Sequence, residues 1–290
     1  MSNFVNLLVY GTADGTILAL AALGFVLIYK STGVINFAQG EFLLVGAYTF
    51  YTAFVLLRLP FTVAVVFGAM VAIVLALIVE RFILRPLIGE SPLSVIMVTI
   101  GLSQFLRAIV EMFYGTSVRE MPAILPTGSV NFLGGQVPVN RLLVIVVAAV
   151  VLTAFTIFFR RTRHGVAMRA VADDQQAAMT MGISVRRIFA IAWALAAVSA
   201  LVAGVLLADI AAVDKNIAAF GLLVFPVVIL GGLDSVPGTI IGGLTIGIVK
   251  QMVSGYADPG LAQVVPYIIL IGVLMVKPYG LFGEVRIERV

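Results

Sequence analysis

The sequence predicts an all-α polytopic membrane protein of about eight to nine transmembrane helices, with broken or re-entrant segments near Asn36 and Asp234. Three observations carry that prediction. Hydrophobic residues make up 62% of the 290 and charged residues 11%, and the mean hydropathy is +1.17, far from the soluble average. The apolar residues fall in runs long enough to cross a hydrocarbon core about 30 Å thick. One polar, arginine-rich island, residues 160–187, stands alone among them. The chain has no Cys and one His, His164, which excludes thiol chemistry, disulfides and zinc or haem ligation as themes. No catalytic residue, metal or cofactor of the chain's own is expected.

Nine apolar runs follow in order: 4–29, 42–57, 61–79, 93–113, 142–159, 188–208, 217–230, 239–253 and 261–276. The first opens on MSNFVNLLVY, which lacks the positive n-region and small-residue cleavage site of a removable signal peptide. The seventh and eighth are short enough for one of them to be re-entrant. Lys and Arg distribute unevenly between the connecting segments. Lys30, Arg81, Arg85, the six arginines of the island, Lys277, Arg286 and Arg289 share one set of loops, whereas Arg58, Arg119, Arg141, Lys215 and Lys250 belong to the other. The richer set is expected in the cytoplasm, with the amino terminus outside and the carboxyl terminus inside. The long loop 114–140 holds Pro122, Pro126, Pro138 and several Gly, a composition that resists a long helix. It reads either as a docking surface for an external partner or as a plain connector.

Two interruptions resemble each other: Ile35-Asn36-Phe37-Ala38-Gln39-Gly40 and Leu233-Asp234-Ser235-Val236-Pro237-Gly238. Each has an aliphatic residue, then Asn or Asp, then Gly four positions later, ahead of a Gly-spaced apolar run. Paired Gly/Pro interruptions point to a substrate path, because unwound backbone offers polar groups there. They are equally the signature of helix caps, with Asn36 and Asp234 bonding free N–H groups and glycines allowing tight packing.

Ionisable residues inside spans are few, and each is a functional hypothesis because charge in hydrocarbon is costly. Arg107 and Glu111 lie four apart and are expected to pair on one helix face as a structural ion pair. Asp14 reads as an isolated carboxylate, suited to a proton relay or to solvated packing near Thr12 and Thr16. Glu41, at the start of the second run, suits the positive end of a helix or a gate.

Within the island, Gln176-Ala177-Ala178-Met179-Thr180-Met181-Gly182 predicts a short helix, a tight turn and then the next element. A surface of Ala and Gly lets another protein approach the backbone closely. The segment resembles the coupling segment of ABC transporter permeases, which runs Glu-Ala-Ala, three residues, then Gly. Here Gln176 replaces the Glu and the usual downstream Ile-x-Leu-Pro is absent, a departure toward a divergent importer class.

The rest of the chain resembles the LivH-like permease subunit of the branched-chain amino acid ABC importers. The matching stretches run in order along nearly its full length. They are Ala21, Leu23 and Gly24 with Gly33-Val34-Ile35-Asn36-Phe37-Ala38-Gln39-Gly40-Glu41 and Gly46-Ala47-Tyr48; then Arg169-Ala170-Val171-Ala172-Asp173-Asp174 with Ala177, Ala178 and Met181-Gly182-Ile183; then Ala203-Gly204-Val205-Leu206. Gly231-Gly232-Leu233-Asp234-Ser235, Pro237-Gly238, Gly242-Gly243 and the closing Lys277-Pro278, Gly280-Leu281-Phe282-Gly283 complete the series.

The resemblance implies a single permease domain over 1–290 with a cytoplasmic coupling loop at 160–187, in the inner membrane of a bacterial or archaeal cell. It implies a second, homologous permease subunit, two cytoplasmic ATPase subunits that hold Mg-ATP, and an extracytoplasmic substrate-binding protein, with membrane lipid around the spans and no nucleic acid. The chain has no G-x-x-x-x-G-K-[ST] loop, so ATP is expected to be hydrolysed by the partners. The substrate path is assigned to Asn36, Phe37, Gln39, Gly40, Glu41, Asp234, Ser235, Pro237 and Gly238, and the ATPase coupling to Arg169, Asp173, Asp174, Gln176, Ala177, Ala178 and Gly182. A different class, an ion-coupled secondary transporter or channel for a small polar solute, would instead rely on Asp14 or on Arg107 and Glu111.

Overall fold

A computed structural model describes residues 2–87, 90–132 and 135–283, so that Arg286 and Arg289, counted above with the positive loops, lie outside the described residues. Helix α1 (Ser2–Thr32) is the axis of the fold: its most apolar window is 89% buried, as its all-round hydrophobicity demands. Around it stand α2 (Gln39–Tyr51), continued by a π-helical turn to Leu56, α3 (Phe61–Ile78), α4 (Pro92–Tyr114), α5 (Val139–Arg161) and α8 (Val185–Ala211). Two small helices, α6 (Arg163–Asp173) and α7 (Gln175–Thr180), are built from the island. The broken segment α9 (Ile217–Phe220) and α10 (Val224–Gly231), then α11 (Val236–Tyr256) and α12 (Pro259–Val276), close the bundle.

Starts are marked by polar caps that satisfy free N–H groups. Ser91 accepts from Ser94 N at 3.2 Å before α4, and Asp258 accepts from Gly260 N at 2.7 Å before α12. Among the described residues seven helices are long and apolar enough to cross a membrane; α2 and the 217–231 segment are shorter. The nine runs thus become seven long helices and two broken ones. The eighth run, short in the sequence, is a 21-residue helix, because Val236-Pro237-Gly238 before it and Ser254-Gly255-Tyr256 after it are helical too.

The closest packing joins α1 to α11. Gly11, Gly15 and Ala19 on one face four residues apart meet Gly243 and Gly247 on the other, so the backbones touch as small-residue seams allow. A Cβ at Gly243 would lie 2.7 Å from Gly15 O and 2.8 Å from Ala19 N. The outward faces of α3 and α12, by contrast, are almost wholly apolar, and only 28% and 11% of their windows are buried.

The bundle has two distinct ends. The α1 terminus with Lys30, the island and the segment after α12 gather at one; the start of α1 and the 114–140 connector lie at the other. Between α4 and α5 the described residues of the connector form no helix but an antiparallel hairpin, β1 (Ser129–Phe132) with β2 (Gly135–Pro138). It is tied down by Asp209 at the end of α8, whose Oδ1 accepts from Ile124 N at 2.8 Å and Leu125 N at 3.3 Å, and by an Arg119–Val213 backbone bridge.

Candidate functional site

After Thr32 the chain leaves the helix and turns back into the bundle. Gln39 Nε2 donates to Ala21 O at 3.2 Å, which sets the start of α2 about 16 Å above the end of α1 at 1.5 Å per residue. Helix α2 therefore begins at mid-depth and runs toward the connector end of the bundle, where Thr52 meets Tyr114. Asn36 Oδ1 accepts from Ala38 N at 3.0 Å, closing the turn, and Asn36, Gln39 and Glu41 are all at most 2% exposed. Phe37 is half-buried and stacks on Phe225 at 4.7 Å between centroids. Gly40 is pressed against the 217–221 turn, where an added Cβ would meet Ala218 O and stand 3.1 Å from Gly221 Cα. The beginnings of the two broken helices thus meet inside the bundle, and only glycines permit it.

The second interruption lies at the island end. Gly232 takes a positive φ of 103°, Ser235 caps α11 by accepting from Gly238 N at 3.1 Å, and Gly238 packs directly on Gly231. Lys30 Nζ donates to Asp234 O at 3.0 Å, tying this break to the end of α1. Leu281 N and Phe282 N donate to Leu230 O and Gly231 O, at 2.9 and 3.1 Å, so the segment after α12 seals the same place. Asn36 closes the turn ahead of α2 without capping it, and the α11 cap falls to Ser235, one position beyond the expected Asp234; Pro237 sits in the first turn of α11, where its missing N–H costs nothing.

The island forms the expected short helix and turn. Asp174 accepts from Gln176 N at 2.8 Å and Ala177 N at 2.9 Å to start α7, Gly182 takes φ +80°, and Ser184 caps α8. Asp173, Asp174, Gln176, Ala177 and Gly182 are exposed, together with the large apolar Met179 and Met181. Ala178 is different: it is 4% exposed and packs inward, so it supports α7 instead of contributing surface.

Two cavities connect this island to the two breaks. One of about 340 Å³ lies among Gly33, Ile35, Glu80, Arg85, Trp193 and Gln175. The other, about 480 Å³, is lined by Lys30, Phe159, Arg169, Asp234, Ser235 and Pro237 among others. Arg169 donates through Nη1 to Phe159 O, and Lys30 and Arg169 both lie 5.7 Å from the Phe159 ring centroid. Residues that the sequence divides between coupling and path, Arg169 on one hand and Asp234, Ser235 and Pro237 on the other, therefore share one chamber. Lys30, Phe159 and Gln175 escaped sequence reasoning: Lys30 registered only as a topology charge, and Phe159 as one apolar letter among many.

Two pairings differ from expectation. Arg107 Nη2 bonds Glu41 Oε1 at 2.9 Å, and no Arg107–Glu111 ion pair exists among the described residues. The four-residue spacing allows a pair, but the buried, otherwise unmatched Glu41 from α2 competes for the same guanidinium and wins. Asp14 is not isolated: Arg141 Nη1 and Gln251 Nε2 each donate to it at 2.7 Å. A carboxylate so held is a joint between α1, α5 and α11.

Comparison with known proteins accords with this architecture. A family described as the permease component of the branched-chain amino acid transport system matches residues 7–274. The chain is 31% identical to the high-affinity branched-chain amino acid transport system permease protein LivH of Salmonella typhimurium, over 99% of its own length and 98% of the relative's. It is likewise 31% identical to BraD of Pseudomonas aeruginosa over the same shares, and 28% identical to a probable LivH of Methanocaldococcus jannaschii over 92% and 89%. Among solved structures, PsaBC from Streptococcus pneumoniae in complex with Fab shares the fold, with a TM-score of 0.52 and 13% identity over 96% of this chain and 93% of that one. With a family match across nearly the whole chain and relatives aligned from end to end, this polytopic protein belongs to the branched-chain amino acid transport permease family.

Proposed function

We propose that this chain is the membrane-spanning permease subunit of an ATP-driven importer that moves branched-chain or other small amino acids into the cytoplasm. It works beside a second, homologous permease, two cytoplasmic ATPase subunits that bind and hydrolyse Mg-ATP, and an extracytoplasmic binding protein that delivers the substrate. The observation that carries the proposal is that one exposed island shares a cavity with each break: Gln175 lines one with Gly33–Ile35, and Arg169 lines the other with Asp234–Pro237. A push on the island reaches one break from α7 and the other from α6, across a single cavity each, so closure of the ATPases moves the broken segments while the rigid α1–α11 seam holds. This is coupling between distant sites through a two-state element.

The orientation that fits places the island end in the cytoplasm and the start of α1 outside, in a bacterial or archaeal inner membrane. Lys30, Arg81, Arg85, the island arginines and Lys277 then follow the positive-inside pattern. The conclusive experiment reconstitutes the chain with the second permease, the ATPases and the binding protein in proteoliposomes and measures uptake of radiolabelled leucine. Uptake should require Mg-ATP and every partner. Uptake by this chain alone, driven by an ion gradient, would overturn the proposal.

A further inference from the structure

Arg107 lies well inside α4, about 11 Å from its end at Tyr114. It does not extend toward that end as a snorkelling side chain would. It reaches instead to Glu41 in the first turn of α2, and that helix with its π-helical turn runs a further 22 Å or so before it ends at Leu56. The pair therefore sits at hydrocarbon depth. Glu41 is enclosed, with 3% of its side chain exposed, yet the Arg107 side chain is 34% exposed. One N–H of Arg107 is bonded to Glu41, and its buried Nε bonds nothing among the described residues, so most of the five guanidinium donors are unused there.

The exposed face of α4 has two flanks. Winding at roughly 100° per residue puts Ile100, Gln104, Arg107 and Glu111 along the edge nearest α2, and Phe105 and Met112 along the other edge. Phe105 and Met112, 61% and 72% exposed, suit lipid. A carboxamide, a guanidinium and a carboxylate in a row do not, because each would be stranded in hydrocarbon. The row belongs on a wet surface. Its chemistry is also specific: a guanidinium with N–H donors left over from Glu41 suits a carboxylate, and Glu111, one turn along at about 6 Å between Cβ atoms, suits an ammonium.

We propose that Arg107 and Glu111 form a station on the permeation path that receives the α-carboxylate and α-ammonium of an amino-acid zwitterion, with Glu41 steadying the guanidinium from behind. The proposal rests on the importer function above and gives it a residue that recognises substrate within the membrane. It also explains why the ion pair is half-open, since a purely structural pair gains nothing from exposure.

The test uses the assembled complex in proteoliposomes. Arg107→Gln should lower leucine uptake roughly tenfold or more, the loss expected for a charge-assisted hydrogen bond. The Glu41→Gln/Arg107→Gln double variant leaves no unpaired buried charge, and its uptake should stay as low. Recovery of the double variant to within about twofold of the parent would overturn the proposal, because Arg107 would then serve only to neutralise Glu41. A second measurement holds even if these variants assemble poorly. In the Cys-free chain, Gln104→Cys should react with a membrane-impermeant thiol reagent at least about tenfold faster than Phe105→Cys, and leucine should slow it. Equal reaction on the two flanks would overturn the proposal. Should the parent complex show no ATP-dependent uptake, the importer function fails on its own terms, while the labelling asymmetry still decides whether this flank is wet.

Discussion

Replacing Gly243 with Ala should separate the two helices that hold the fold together. The new Cβ would stand 2.7 Å from Gly15 O and 2.8 Å from both Ala19 N and Ala19 Cβ. Ordinary contact needs about 3.5–4.0 Å, so α1 and α11 must part by roughly 0.7–1.3 Å. No rotamer offers relief, because the obstacles are backbone atoms and an alanine methyl. Overpacking of this rigid kind costs about 3 kcal/mol, the upper part of the usual range. Alanine returns about 1 kcal/mol through its helix propensity, leaving a net loss of about 2 kcal/mol. Gly272→Ala in α12 is the matched control: nothing lies within 4 Å of its added Cβ, so only the propensity gain remains. Unfolding free energies from denaturant titration in micelles should therefore differ by about 3 kcal/mol between the two variants. If Gly243→Ala is as stable as Gly272→Ala, the seam is not what joins α1 to α11 and the packing argument fails.

Two further predictions address the island and the orientation. Ala177→Glu, on the exposed side of α7, should leave the chain folded and monodisperse but reduce transport-coupled ATP hydrolysis by about tenfold through repulsion at a close-fitting surface, whereas Ala178→Glu, at 4% exposure, should lower the yield of folded protein itself; equal effects of the two on ATP hydrolysis with both chains folded would refute the assignment of surfaces. Single cysteines at His164 and Ser117 should label with an impermeant maleimide from opposite sides of the membrane, His164→Cys from the cytoplasm, and labelling of both from one side would refute the topology.

Much of the fold was legible in residue order, because the information involved is local. Apolar run length marks a membrane helix, polar letters mark its ends, and Gly and Pro mark breaks. The interruptions at Asn36 and Asp234 fall where the helices stop, and the island gives a helix and a turn at Gly182. The resemblance of the Ile-Asn-Phe-Ala-x-Gly stretch and the coupling segment pointed to the permease family, which the comparisons then established.

What only the tertiary structure decided were the partnerships between distant segments. Spacing suggested Glu111 for Arg107, since a helix places i and i+4 together; packing of α2 against α4 supplied Glu41 instead. Asp14 looked alone because Arg141 and Gln251 are more than a hundred positions away, and nothing in a sequence fixes which helices cross at that depth. The mid-depth start of α2 was equally hidden, because it depends on where Gln39 meets Ala21 and not on any letter near Asn36. The same holds for the chamber that Arg169 shares with Asp234. Local pattern encodes helices, ends and breaks, while the pairing of buried charges is chosen by the competition among all donors and acceptors that packing brings within reach.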